Sequence, residues 1–546
     1  MRFILIPLMV ILLSASISAQ DTYYIRFTDK NHNSYSIDRP EVFLSARSIE
    51  RRRAQHIPIK ETDLPLTDSY VNTILPLADR IVYKLKWDNA IIFKSSDTAF
   101  TSKVKQFPFV KSITKISGAC PSTVKKKLDP STLKNLTPTP LDTGFYGAAA
   151  NQNSMININA LHQMGYWGDG ILIAVMDGGF AGLSTNPYFA QTYAQERLLY
   201  TWNYVYDTGN VYSYDAHGSE TFSCIAANIP DKMVGTAPNA QFLLFITEDV
   251  RSEKIIEEYN WANAAEVADS IGADVISTSL GYTTFDPVDS IYNTTYGSLN
   301  GDSTPIAKAV NIAASKGILV ITSAGNDGND SWHYLDTPGD ADSAVAIGAV
   351  NAQGTIVDFS SLGPNSAGVL KPNLSAQGLN ASVVMTNGLL GSNSGTSFSC
   401  PITAGAFACL REAFPSVPCR TMIDAVQQSA NHAGNPNNDY GYGIPDFGLA
   451  YQHLKLLYPT DTLVAIHSLV YPNPFTTSFN ILISGLLNSP LNLDIYNLIG
   501  QKVWAVSYPL GTYPDNIISV NMPDLDNGSY ILRINGRYTT HLIKRP

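Results

Sequence analysis

Four short segments of this chain carry side chains that could together cleave an amide bond by acyl transfer. Residues 395–401 read Gly-Thr-Ser-Phe-Ser-Cys-Pro, so Ser397 lies in a turn of small residues just before a helical pattern. A serine at a helix start is a typical nucleophile, because the N–H groups and dipole there help to stabilise an oxyanion. Since Gly-Thr-Ser also occurs in ordinary turns, the prediction depends on partners elsewhere in the chain.

Those partners are predicted at strand ends and at a turn. Asp177 follows the apolar run 170–176, and Asn326 follows the apolar run 317–322. Short continuous apolar runs indicate strands buried on both faces, and open α/β sheets place their sites at the carboxyl ends of such strands. His217 lies on a glycine turn ahead of a helical pattern. Asp, His, Asn and Ser are together the groups that acyl transfer requires.

Each of these residues also has an ordinary structural interpretation when it is taken alone. An Asp before Gly-Gly is commonly a turn residue, and Asn326 in Gly-Asn-Asp-Gly is typical of a β-turn. A single His is more often hydrogen-bonded for structural reasons than catalytic. The catalytic interpretation is favoured because the structural one must explain four coincidences in one chain.

The motifs, in the order Asp, His, Ser, resemble those of the subtilisin-like serine proteases from about residue 165 to 445. The turn 235–240 and the strand pattern 274–281, which ends in Ser-Leu-Gly, are similar as well. The resemblance implies an α/β fold: a mostly parallel sheet with helices on both faces. One difference is Gly178, because the family usually has Ser or Thr after its catalytic Asp, so one hydroxyl supporting that carboxylate is expected to be absent.

The resemblance also implies a role for each residue. Ser397 would be the nucleophile, His217 the general base and acid, and Asp177 the group that orients His217. Asn326 and the backbone N–H of Ser397 would stabilise the oxyanion. The substrate would bind as an added strand, and its predicted contacts are Ser279, Leu280, Gly281, Ser323, Ala324 and Gly325.

Two segments precede the predicted peptidase domain of residues 144–460. Residues 1–19 are typical of a cleaved secretory signal, and no later apolar stretch reaches membrane-spanning length. Residues 20–143 form a predicted α/β inhibitory prosegment with a linker. Residues 20–145 carry 20 Lys and Arg against 13 Asp and Glu, whereas residues 146–460 carry 10 against 28. Such complementary charge fits a prosegment bound to its own protease. The linker, about residues 121–143, is predicted to be exposed and suited to cleavage.

Basic character could instead indicate nucleic-acid binding, with residues 51–53, Arg-Arg-Arg, as a patch. That interpretation is disfavoured because the charges are scattered among strand patterns at 23–27, 88–93 and 109–113 and a helical pattern at 42–53.

The C-terminal residues 466–546 predict a small β-sandwich, because alternating runs at 479–483, 491–496, 517–522 and 530–534 are separated by turns. The segment 471–475, Tyr-Pro-Asn-Pro-Phe, and the runs 495–501 and 525–530 resemble sorting domains of the type IX secretion system. The alternative is a generic sandwich that binds carbohydrate or protein.

The five cysteines are too few for a disulfide framework, and their spacing does not predict a zinc site. Pairing of Cys409 with Cys419 stays open, and Cys400 is expected to be a small buried residue. The chemistry requires no cofactor, and structural Ca²⁺, which many family members hold, has no readable ligand motif here.

Together these patterns predict a serine endopeptidase exported through the periplasm to the cell surface or medium. Its expected partners are polypeptide substrates, its own prosegment and the type IX machinery, without nucleic acid. The alternative is a catalytically inactive subtilisin-like surface protein that binds partners. An esterase of the Gly-x-Ser-x-Gly type is disfavoured, because its serine would come first in the chain.

Overall fold

The structure is a computed structural model that describes residues 20–117, 144–458, 467–484, 491–498, 500–508, 517–522, 524–534 and 538–546. The predicted signal, residues 1–19, and the predicted linker, residues 121–143, lie outside the described residues. Buried hydrophobic side chains in the described ranges form clusters in an N-terminal domain, on the two faces of a central sheet, and in a C-terminal domain. None of the helices in these ranges has the length and hydrophobicity needed to cross a bilayer.

The N-terminal domain is a four-stranded antiparallel sheet in the order β2-β3-β1-β4, with α2 and α3 packed on one face. The predicted helix begins at Ala46 and not at residue 42, because Ser45 caps it: its hydroxyl accepts the N–H of Ser48 at 3.1 Å. The elements are β1 Asp21–Phe27, α1 Ala46–Ala54, α2 Asp68–Ile74, β2 Arg80–Leu85, β3 Ala90–Ser95, α3 Phe100–Val104 and β4 Val110–Ser117.

The central domain is built on seven parallel strands in the order β13-β12-β11-β10-β5-β9-β6, as the α/β prediction requires. Its first elements are α4 Ala150–Met155, α5 Ile158–Gln163, β5 Leu172–Asp177, α6 Ala190–Ala194, β6 Leu198–Asn203, α7 His217–Ala226, β7 Asn228–Ile229, β8 Met233–Val234, β9 Gln241–Ile246, α8 Ile256–Ile271 and β10 Val275–Thr278. The remaining elements are α9 Pro305–Ser315, β11 Leu319–Ser323, β12 Val345–Val350, β13 Leu374–Gln377, β14 Ala381–Val384, β15 Leu390–Asn393, α10 Thr396–Ala413, α11 Cys419–Ser429 and α12 Phe447–Leu457.

Helices cover both faces of this sheet, which explains the continuous apolar run of β5. Ile173 and Val175 pack in the cluster that contains α7 and α10–α12, whereas Ala174 and Met176 pack in the cluster that contains α8 and α9. A strand buried on both faces needs apolar residues at every position, and that is the pattern seen in the sequence.

The N-terminal domain packs on α8 and α9, and its strands extend the cluster on that face. Trp87 and Ile92 share this cluster with Trp261 of α8. Polar contacts also bridge the domains, since Glu266 of α8 accepts the N–H groups of Lys86 and Trp87 at 2.8 and 2.9 Å. The predicted prosegment therefore contacts the helical layer of the central domain.

The C-terminal domain is a sandwich of two antiparallel sheets, β16-β17-β20 and β19-β18-β21-β22, with a core of its own. The four predicted strands are confirmed as β17, β18, β20 and β21, whereas β16, β19 and β22 were missed. The strands are β16 His467–Tyr471, β17 Ser478–Ser484, β18 Leu491–Asn497, β19 Lys502–Tyr508, β20 Ile517–Asn521, β21 Gly528–Ile534 and β22 Tyr538–Lys544.

Candidate active site

The residues predicted to perform chemistry meet at the carboxyl edge of the parallel sheet. Asp177 is the last residue of β5, and Asn326 follows β11. His217 begins α7, and Ser397 is the second residue of α10. Ligands of open α/β sheets bind at this edge.

Asp177 and His217 are joined directly. His217 Nδ1 lies 2.8 Å from Asp177 Oδ1, and the carboxylate is buried. Because a carboxylate only accepts hydrogen bonds, Nδ1 carries the proton and Nε2 is the nitrogen left to act as a base. The backbone N–H of Gly178 also donates to Oδ1, at 2.7 Å.

Position 178 supplies no hydroxyl, as its glycine requires, but a hydroxyl from another element does support this carboxylate. Thr221 Oγ1 donates to Asp177 Oδ2 at 3.0 Å. Thr221 stands four residues after His217 on α7, so both side chains reach Asp177 from one face of the helix. The sequence signal that could have revealed it is this i, i+4 spacing.

The surroundings of His217 favour its protonated form. Burial alone would lower the pKa of His217, but the charge and hydrogen bond of Asp177 outweigh it, with further contributions from Asp215 and Glu248. The pKa of His217 is therefore raised to about 9. Asp215 also accepts the backbone N–H of His217, the first residue of α7, at 2.8 Å.

Ser397 is held at the start of α10 by reciprocal contacts with Ser279. Pro401 cannot donate an N–H to the carbonyl of Ser397, and Ser279 Oγ donates to that carbonyl at 2.8 Å instead. Within the described residues, the Ser397 hydroxyl turns to the Ser279 carbonyl, at 3.5 Å, and makes no hydrogen bond to His217. The ring of His217 lies against Phe398, 5.8 Å between centroids. Catalytic hydrogen bonds are often loose in free enzymes and tighten when substrate binds.

Asn326 has a defined amide orientation. Its Oδ1 accepts the backbone N–H of Thr396 at 2.8 Å and the hydroxyl of Thr396 at 3.0 Å. A backbone N–H can only donate, so the atom facing it must be the amide oxygen. The Nδ2 donor therefore points away from these bonds, next to the turn that carries Ser397.

The predicted substrate-binding segments lie side by side. Strands β10 and β11 pair in parallel with Thr278 opposite Thr322, so residues 279–281 and 323–325 leave the same edge of the sheet. The N–H of Gly325 donates to Thr396 Oγ1 at 3.2 Å, which joins the second segment to the turn that carries Ser397.

Four cysteines of the described residues are free thiols, so Cys409 and Cys419 do not pair. Cys400 is buried under the Thr278 carbonyl, with its Sγ at 3.4 Å, and burial raises the pKa of its thiol to about 12. For the Ca²⁺ that the family suggests, the described ranges contain no group of three or more His, Cys, Asp or Glu side chains that could hold a metal ion.

Family models agree with this architecture. Residues 168–443, half of the chain, match the Subtilase family; residues 22–131 match a peptidase S8 propeptide domain of Bacteroidota; and residues 469–545 match a secretion system C-terminal sorting domain. A solved structure of MycP1 with its N-terminal propeptide removed is 22% identical, with a TM-score of 0.45, over 55% of this chain and 96% of that chain.

Curated relatives are proteases. A thermostable alkaline protease of Halalkalibacterium halodurans is 28% identical over 300 residues, which are 55% of this chain and 72% of that protein. Subtilisin NAT of Bacillus subtilis subsp. natto is 30% identical over 294 residues, 53% of this chain and 68% of that protein. The chain therefore belongs to the subtilase family: it is a subtilisin-like serine endopeptidase with an S8 propeptide domain and a C-terminal sorting domain for secretion or cell-surface export.

Proposed function

We propose that this subtilase cleaves peptide bonds through Ser397, His217 and Asp177 by way of an acyl-enzyme. The observation that carries the proposal is the 2.8 Å hydrogen bond between Asp177 and His217 at the sheet edge where Ser397 starts α10. His217 takes the proton of Ser397 Oγ as that oxygen adds to the scissile carbonyl, and then gives it to the leaving amine. Water repeats these steps on the ester and releases the acid.

Asn326 Nδ2 and the backbone N–H of Ser397 donate to the oxyanion in this proposal. Each donor acts on charge that develops in the transition state, and one is typically worth about 3 to 4 kcal/mol. The steps use only side chains and backbone of this chain, so the proposed chemistry requires no cofactor.

The remaining parts of the proposal concern maturation and export. The segment of residues 20–143 acts as inhibitor until the enzyme cuts it away, and the sorting domain directs a periplasmic intermediate to the outer surface through the type IX machinery. Contacts of the N-terminal domain with α8 and α9 support the first statement, and the match of residues 469–545 supports the second.

A fluorophosphonate probe tests the nucleophile, because it labels only activated serines. Mature wild-type enzyme should be labelled and should hydrolyse peptides, and Ser397→Ala should lose both properties and leave the precursor uncut. Ser399→Ala is the matched control, since Ser399 lies two residues along α10 with its hydroxyl bonded to the Thr396 carbonyl at 3.0 Å. An unlabelled, correctly folded wild-type enzyme would support the alternative of an inactive binding protein.

A further inference from the structure

Asp336 places a carboxylate beside the substrate-binding segments, and the proposed mechanism does not use it. Its backbone N–H donates to the Ala324 carbonyl at 3.1 Å. The next residue, Thr337, exchanges backbone hydrogen bonds with Tyr282 at 2.9 and 3.3 Å. The loop therefore bridges the two segments 279–281 and 323–325 and holds Asp336 between them.

The side chain of Asp336 occupies space that two glycines leave open. A Cβ built on Gly281 would lie 2.7 Å from Asp336 Oδ2, and a Cβ built on Gly325 would also lie 2.7 Å from that oxygen. Contacts this short do not occur between real atoms, so neither position could carry a side chain beside Asp336. Asp336 is half-buried as a residue, and its carboxylate lies in the slot between the segments 279–281 and 323–325.

This slot adjoins the bond that Ser397 would attack. Ser279, at the start of the first segment, contacts Ser397 in both directions, and Gly325 directly precedes Asn326. Side chains of an added strand point alternately to its two faces. The residue whose carbonyl lies at Ser397 and Asn326 therefore directs its side chain between the segments, toward Asp336.

We propose that Asp336 selects substrates with a cationic side chain, lysine or arginine, on the acyl side of the cleaved bond. This inference rests on the proposed function, because it takes Ser397 as the nucleophile. A half-buried carboxylate gains a charge-assisted hydrogen bond from an ammonium or guanidinium group. An apolar side chain would instead take water from the carboxylate and return no hydrogen bond.

The negative charge around the site also favours cationic substrates. Asp215 and Glu248 both act on His217, and residues 146–460 carry 28 acidic against 10 basic residues. A cleft lined by one sign of charge concentrates ligands of the other sign. The sequence between the two domains also contains cationic residues after which the chain could be cut. Residues 118–143 contain no arginine and four lysines: Lys125, Lys126, Lys127 and Lys134.

Peptides that differ only in the residue before the cleaved bond test the proposal on the mature enzyme. The wild type should have a higher kcat/KM for Lys and Arg than for Leu, Phe and Glu. Asp336→Asn should lower kcat/KM for Lys and Arg by about 10- to 100-fold, the range expected for one hydrogen bond to a charged group, and leave Leu near its wild-type value. Asp330→Asn is the matched control: it removes the same charge from an exposed position of the same loop and should change neither.

A wild-type preference for Leu or Phe would overturn the inference whatever the variant does. An equal loss of kcat/KM on every peptide would also overturn it, and a lower melting temperature would then identify Asp336 as a structural loop residue. Fluorophosphonate labelling separates the two proposals. If the enzyme is labelled but shows no preference for Lys and Arg, the proposed function stands and the role of Asp336 is contradicted. If the enzyme is neither labelled nor active, both proposals are contradicted.

Discussion

At the scale of single residues, the predicted catalytic side chains are oriented by hydrogen bonds from neighbouring residues. Thr221 and the N–H of Gly178 bond to the two oxygens of Asp177, and Thr396 holds the oxygen of Asn326. The bond to Asp177 engages Nδ1 of His217 and leaves Nε2 as the ring nitrogen that can accept a proton, and the bonds from Thr396 engage Oδ1 of Asn326 and leave Nδ2 as a donor. In the proposed mechanism, a donor held in this way would need no rearrangement during the reaction.

Replacement of Asn326 by Ala should lower kcat by about 10²- to 10³-fold with little change in KM, because the donor acts on transition-state charge. The measurement is steady-state kinetics on a single peptide substrate. Thr396→Val provides a comparison: it keeps the backbone N–H bond to Asn326 and removes the hydroxyl bond, so a smaller loss of kcat is expected. A rise in KM alone would place Asn326 in substrate binding.

The pKa of His217 predicts an alkaline enzyme. A general base must be neutral, and His217 is protonated below its raised pKa of about 9, so kcat/KM should increase with pH up to that region. Asp215→Asn keeps an acceptor for the His217 N–H and removes a charge, so it should move the acidic limb of the profile to lower pH. The measurement is kcat/KM against pH for both enzymes. A limb that does not move would show that Asp215 has no electrostatic effect on His217.

At the scale of elements, helix α1 docks on α8 through buried charges. Asp269 of α8 forms ion pairs with Arg51 at 2.5 Å and with Arg52 at 2.7 Å. Asp63 forms ion pairs with Arg52 at 3.0 Å and with Lys316 at 2.6 Å. Burial alone would raise the pKa of Asp269, but Lys86, Arg51 and Arg52 outweigh it and lower that pKa. Residues 51 and 52 of the basic run therefore serve the domain contact.

Arg52→Met should weaken inhibition of the mature enzyme by the isolated prosegment by about 10- to 100-fold. Asp269 then loses a charge-assisted hydrogen bond, typically worth about 1.5 to 3 kcal/mol, but it keeps Arg51, and Asp63 keeps Lys316. Arg53→Met is the control, since the side chain of Arg53 is 75% exposed and forms its ion pair with Glu50 of the same helix. The readout is the inhibition constant, with circular dichroism of each prosegment to check folding. Equal constants for the two folded variants would contradict a role of the buried network in binding.

At the scale of the whole molecule, the C-terminal sandwich is built as a separate unit. Its inward residues, among them Leu493, Ile495 and Leu532, form a cluster distinct from both clusters of the central sheet. Contact with the rest of the protein includes Tyr471 against Phe145, 6.1 Å between ring centroids. A domain with its own core can be removed without opening another.

Deletion of residues 466–546 should therefore leave peptidase activity intact and stop delivery past the outer membrane. The measurement is fractionation of cells that make the truncated protein, with activity assayed in each compartment. Wild-type activity outside the cell would rule out the sorting role, and an inactive, unfolded product would show that the sandwich supports the protease fold.

The sequence by itself determined the fold class and the candidate residues Asp177, His217, Asn326 and Ser397, because each lies in a local motif at a strand end or helix start. Local patterns act over a few residues, so they also predicted β5 and most strands of the sandwich. They do not specify which distant residues meet. Only the tertiary structure brought Thr221 to Asp177, turned the amide of Asn326, paired Arg52 with Asp269 and set Asp336 between Gly281 and Gly325. These contacts join segments up to 217 positions apart, and they arise from packing of whole elements, which no local pattern encodes.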